Sequence, residues 1–90
     1  MPYVDRETRD RLDSMRFGDA IYFAPTLSEG ELNYVITRIV MAWARKDKNY
    51  ARLNAAHGTF FSAAAEFYRR EVAPYEDEKA KKNGDVYADA

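Results

Sequence analysis

The sequence predicts an all-α protein: an antiparallel pair of long helices flanked by short N- and C-terminal helices, assembled as a homo-oligomer. Three observations lead there. Ser28-Glu29-Gly30-Glu31 has the spacing of a capping box and opens a stretch with apolar residues at helical intervals. A second such stretch begins after Asn49, and no segment alternates apolar and polar residues as a half-buried strand does. The 90 residues make at most one domain. It divides into an N-terminal helix and aromatic loop (1–27), a helix hairpin (28–73), and a C-terminal helix and tail (74–90).

Met1-Pro2-Tyr3-Val4 is a short lead-in, after which Asp5 caps a first helix over Arg6 to Met15. Only Leu12 and Met15 share an apolar face there, so this helix needs something larger to dock on. Phe17 to Thr26 reads as a loop because it holds Gly18 and Pro25. Its Ile21, Tyr22 and Phe23 argue against free solvation and fit a lid or an arm on a neighbouring subunit. The second helix runs from Ser28 to about Lys46, with Glu29 and Glu31 at the positive end of its dipole. Asn49 caps the third, from Tyr50 to about Ala73. Pro74 then starts a short helix or a kinked continuation to Lys82, and Asn83-Gly84 closes it in a left-handed turn.

Composition narrows the functional classes. There is no cysteine and a single histidine, His57, so neither disulfides nor a zinc site can supplement a small core. A net charge of −1 gives no general pull toward nucleic acid or an anionic membrane. No apolar run approaches the roughly 18 residues of a membrane span, and the charged N-terminus does not resemble a signal peptide, so a cytoplasmic location is expected. A helix-turn-helix over Tyr50 to Arg70 is disfavoured because the periodicity passes through Gly58 unbroken. No cofactor is implied. His57 lacks any recognisable nucleophile or orienting carboxylate, is read as a core residue, and an enzyme is not expected.

Helical sorting assigns the core. In the second helix, Leu32, Val35, Ile36, Ile39, Val40 and Trp43 face the third. In the third, Leu53, His57, Phe60, Phe61 and Phe67 form the apolar side, while Arg52, Ala55 and Thr59 lie opposite. The second helix carries another stripe, Tyr34, Arg38, Met41 and Arg45, flanked by Asn33 and Thr37. Aromatic and arginine residues in that order fit burial on a second side. Two long helices give a limited core, so a subunit interface through Tyr34 and Met41, joined by Tyr22 and Phe23, is one expectation. The other is a pocket for an anionic ligand, with Tyr34 stacking and Arg38 and Arg45 forking onto phosphate or carboxylate. Arg69, Arg70 and Tyr75 are further candidate contacts, although Glu66 is spaced to pair with Arg70.

The strings GELNY (Gly30–Tyr34), NYARLN (Asn49–Asn54), YRR-x-x-APYE (Tyr68–Glu76) and NGDVY (Asn83–Tyr87) resemble a family of small uncharacterised proteins from phages, prophages and prokaryotes. The resemblance covers nearly the whole chain and carries no assigned activity. It implies a phage context, hence the host cytoplasm. By analogy, some compact helical phage proteins sequester nucleotide second messengers of host defence, and others block a host protein by surface contact. The expectation is therefore a non-catalytic binding protein for an anionic, nucleotide-like signal. The alternative is a protein–protein inhibitor or interaction module without a small ligand.

Overall fold

A computed structural model describes residues 4–89. The expected lead-in at residues 1–3 lies outside that range. Every regular element among the described residues is helical: α1 (Arg6–Asp13), α2 (Arg16–Phe23), α3 (Glu29–Arg45), α4 (Tyr50–Phe67), α5 (Ala73–Asn83) and α6 (Val86–Asp89). A short 3₁₀ turn, Ala24–Thr26, follows α2, and a π-turn, Tyr68–Val72, joins α4 to α5. From Tyr50 to Asn83 the chain is one helical rod of 34 residues.

Local chemistry sets the helix starts. Asp5 Oδ1 accepts the Thr8 N–H at 2.7 Å, and hydrogen bonding from the Thr8 side chain, with that N–H, holds its carboxyl below the usual range. At Ser28 both bonds of the capping box are made: the Glu31 N–H donates to Ser28 Oγ (3.1 Å), and the Ser28 N–H donates to Glu31 Oε1 (2.8 Å). Asn49 Oδ1 accepts the Arg52 N–H at 2.8 Å to begin α4. The turn before it contains Asp47 with φ 52°, a left-handed conformation that aspartate tolerates better than most residues. Gly84, at φ 90°, ends α5 as expected.

The stretch expected as an aromatic loop is instead mostly helix, as α2 and its 3₁₀ turn. Phe17, Ala20, Ile21 and Ala24 fall at i, i+3, i+4 and i+7, a helical pattern that Gly18 and Pro25 obscured. Gly18 is not a loop signal. A Cβ there would sit 2.4 Å from the Asp13 carbonyl oxygen, so glycine permits α2 to leave α1 at close range. Pro25 falls after the last α-helical turn, inside the 3₁₀ turn.

The π-turn has a physical cause of its own. Pro74 has no N–H to give the carbonyl one turn back, and the chain widens just before it, with the Ala73 N–H donating to the Tyr68 carbonyl. Pro74 is thus absorbed within a continuous rod. Across the turn, Tyr68 Oη donates to Glu76 Oε1 at 2.7 Å.

α3 and α4 form the expected hairpin, with Ile39, Val40 and Trp43 of α3 facing α4 as expected, but α4 is turned so that Arg52 and Thr59 also lie toward α3. The only buried residues among those described are Ala44 and Ala56, which let the two backbones approach. Arg52, assigned by sorting to the far side, lies at this seam: its Nε donates to the Trp43 carbonyl at 2.8 Å. His57, expected in the core, is exposed. Leu53, Phe60, Phe61 and Phe67 are 41–68% exposed, as are Ile39 and Trp43 on α3. Sorting by size put the large side chains inside, whereas the pairing uses alanine and leaves the large ones at the rim.

The chain alone is therefore loosely closed. Its radius of gyration is 17.3 Å, against about 12 Å for a compact domain of this length. Its accessible surface is 8324 Å² for 10.4 kDa, against about 5,400 Å² for a typical folded monomer of that mass. No helix among the described residues is long and apolar enough to cross a membrane.

Candidate functional site

The capping box fixes the first turn of α3 and with it the phase of every later side chain. That phase puts Asn33, Tyr34, Thr37 and Arg38 on one outward face. Thr37 Oγ1 donates to Asn33 Oδ1 at 3.2 Å. Arg38 Nη1 donates to Tyr34 Oη at 3.0 Å, with the guanidinium carbon 5.8 Å from the ring centre. The guanidinium is thereby steered along the helix toward the tyrosine.

Two shallow hollows flank this pair. One is lined by Glu29, Gly30, Asn33, Tyr34 and Thr37, and the other by Arg38, Met41, Ala42 and Arg45. A Cβ on Gly30 would meet nothing within 4 Å, so the missing side chain leaves open space at the floor of the first hollow. Tyr34 is 60% exposed and Met41 half-buried. Neither Arg38 nor Arg45 makes an ion pair among the described residues.

The other candidate contacts sit in different company. Arg69 Nη2 and Arg70 Nε both donate to Glu66 Oε1, at 2.6 and 3.1 Å, so one carboxylate already engages the two arginines. Tyr75 lines a separate hollow on α5 with Asn83, Gly84 and Tyr87, and the Lys79 ammonium lies 5.5 Å from its ring centre. Of the expected ligand residues, the structure brings together Asn33 with Tyr34, and Tyr34 with Arg38, and places Arg45 along the same stripe. It does not join them to Arg69, Arg70 or Tyr75 in one hollow. Of the expected interface residues, Tyr22 and Phe23 on α2 are exposed, Tyr22 almost fully.

Sorting of the sequence missed one feature entirely. Between α3 and α4 lies an apolar groove of about 360 Å³, lined by Ile39, Val40 and Trp43 on one wall and Ala56, Phe60 and Ala63 on the other. Thr59 supplies its one hydroxyl. Its signal in the sequence is the apolar spacing of Ile39, Val40, Trp43 and Phe60, which fits a closed core and an open groove alike.

Among the described residues no group of three or more histidine, aspartate or glutamate side chains is placed to hold a metal ion. His57 has no hydrogen-bonded carboxylate or nucleophile among them. The Tyr68 hydroxyl has its pKa raised by donating to Glu76 and by that carboxylate's charge, which favours retaining the proton.

No curated protein and no solved structure matches the chain. Residues 1–86 match a family described as a domain of unknown function, DUF6899, and the chain belongs to that family.

Proposed function

We propose that this is a non-catalytic binding protein whose α3 face, with Asn33, Tyr34, Arg38 and Arg45, receives an anionic ligand bearing a flat ring, a nucleotide above all. The Arg38–Tyr34 pair carries the reading. A guanidinium is held beside an exposed aromatic ring, without a carboxylate on it among the described residues, at the edge of an open hollow. Phosphate oxygens match the unused donors of the fork, and a base can lie on the ring. Arg45 adds a second cation on the same side. Arg69 and Arg70 lend less support, because Glu66 already engages both.

In the phage or prophage setting that the sequence resemblance implies, the reading becomes sequestration of a nucleotide defence signal in the host cytoplasm. The test is a thermal-shift screen with cyclic dinucleotides, cyclic trinucleotides and ADP-ribose derivatives. A bound ligand at a hundredfold excess over its Kd stabilises by about 2.7 kcal/mol. The expected result is a rise in Tm with one of these classes, lost in Arg38→Ala/Arg45→Ala. No rise with any class overturns the reading.

One observation favours a second reading, an interaction module that blocks another protein by surface contact: the exposed aromatic and aliphatic surface is large for a chain this small. Absence of any nucleotide shift, together with a stoichiometric complex with a purified host defence protein, supports that alternative.

A further inference from the structure

We propose that the groove between α3 and α4 seats a second copy of this chain, so that two hairpins close a four-helix bundle and the Tyr34–Arg38 face stays outside it. Each wall of the groove continues as a seam. On α3, Ile36, Ile39 and Trp43 are spaced by three and four residues. On α4, Leu53, Phe60 and Phe67 are spaced by sevens. These are the intervals by which facing helices interlock side chains in bundles, and all six residues are at least 37% exposed in the single chain.

The area says what size of partner is missing. The chain exposes about 2,900 Å² more than a typical folded monomer of its mass. Obligate homodimer interfaces bury about 2,000–5,000 Å² in total, half from each chain. One such interface therefore covers about 1,000–2,500 Å² of each chain, between roughly a third and nine-tenths of the excess.

The chemistry says which partner. The groove lining contains no ionisable side chain. A two-fold interface sets each patch against its own copy, which an uncharged apolar patch meets without opposing like charges. The assembly expected from the sequence is retained in this proposal, but its seat moves from the Tyr34–Met41 stripe to the opposite side of α3.

The inference does not depend on the ligand reading, since substitutions at Tyr34 test one and substitutions at Phe60 test the other. The experiment is sedimentation velocity of the unmodified full chain across a micromolar concentration series, with acrylamide quenching of Trp43, the only tryptophan, at each step. The expected result is a dimer or a higher even assembly, with quenching falling severalfold as it forms. Phe60→Asp should sediment as a monomer at the same loading, while Tyr34→Ala remains assembled. If Phe60→Asp fails to fold, as judged by helical circular dichroism, quenching in the unmodified protein still decides. A helical monomer at every concentration overturns the proposal. So does an assembly in which Trp43 quenching is unchanged, or one broken by Tyr34→Ala and kept by Phe60→Asp.

Discussion

Arg52 reaches back across the interhelical turn, donates from Nε to the Trp43 carbonyl at 2.8 Å, and lays its guanidinium carbon 3.4 Å from the centre of the Trp43 ring. The Trp43 carbonyl belongs to the last turn of α3, where no intrahelical donor follows. A single side chain thus closes one helix and ties the next to it. Arg52→Ala should lower stability by about 1–3 kcal/mol, combining a charge-assisted hydrogen bond with a cation–ring contact. Arg52→Lys should recover less than half of that, because an ammonium cannot both stack and fork. Urea unfolding followed by Trp43 fluorescence measures both, with chain concentration held fixed.

The start of α3 offers a cleaner local test. Ser28→Ala removes the acceptor for the Glu31 N–H and should cost about 1 kcal/mol in thermal unfolding. Because the cap fixes the phase of Tyr34 and Arg38, fraying here should also reach the proposed ligand face. Hydrogen exchange at Leu32 to Val35 should rise in this variant. Unchanged exchange there means that the cap does not hold the first turn.

Two glycines should respond in opposite directions to alanine. Gly18→Ala places a methyl group against the Asp13 carbonyl and should loosen the α1–α2 junction, seen as faster proteolysis between them. Gly30→Ala meets open space and should raise stability by about 0.4–1 kcal/mol through the unfolded chain's lost freedom. It also fills the floor of the hollow beside Tyr34, so any nucleotide that the protein binds there should bind more weakly to this more stable variant.

The Tyr68–Glu76 hydrogen bond gives a pH signature. Donation to the carboxylate raises the Tyr68 pKa above 10.0 in the folded state. A raised pKa contributes stability that is fully present below the unfolded value and is lost as pH rises through the folded one. Above pH 10 the protein should therefore lose stability more steeply than Tyr68→Phe does. In absorbance titration of the folded protein, a tyrosine ionisation raised above the ordinary value should be missing from the variant.

What the sequence disclosed was local. Helix starts were legible because a cap is a contract among four or five neighbouring residues, as at Asp5, Ser28 and Asn49. The hairpin was legible from its two runs of helical spacing. The role of Arg52 was not, because nothing at nine residues' separation marks a side chain that will return to Trp43. The contact face of α4 was legible only in part for a related reason: Phe60 lines the groove as expected, whereas Arg52 and Thr59 turn toward α3 as well. Periodicity ranks residues by apolar bulk, and in a chain too small to close a core the alanines set the approach while the bulk is left facing outward. At the candidate site, the Tyr34–Arg38 spacing was readable as a shared face. The engagement of Arg69 by Glu66 was only half visible, since spacing showed the Arg70 pair and not the shared carboxylate.

The π-turn at Tyr68–Val72 alters how the long rod presents itself. Each residue advances an α-helix by about 100°, so one residue accommodated in a widened turn sets α5 out of phase with α4 by roughly that angle. A stripe followed down α4 does not continue onto α5; it resumes on another side. The rod is thus two differently aimed surfaces on one axis, and removing a single residue from the turn would rotate every side chain beyond it together.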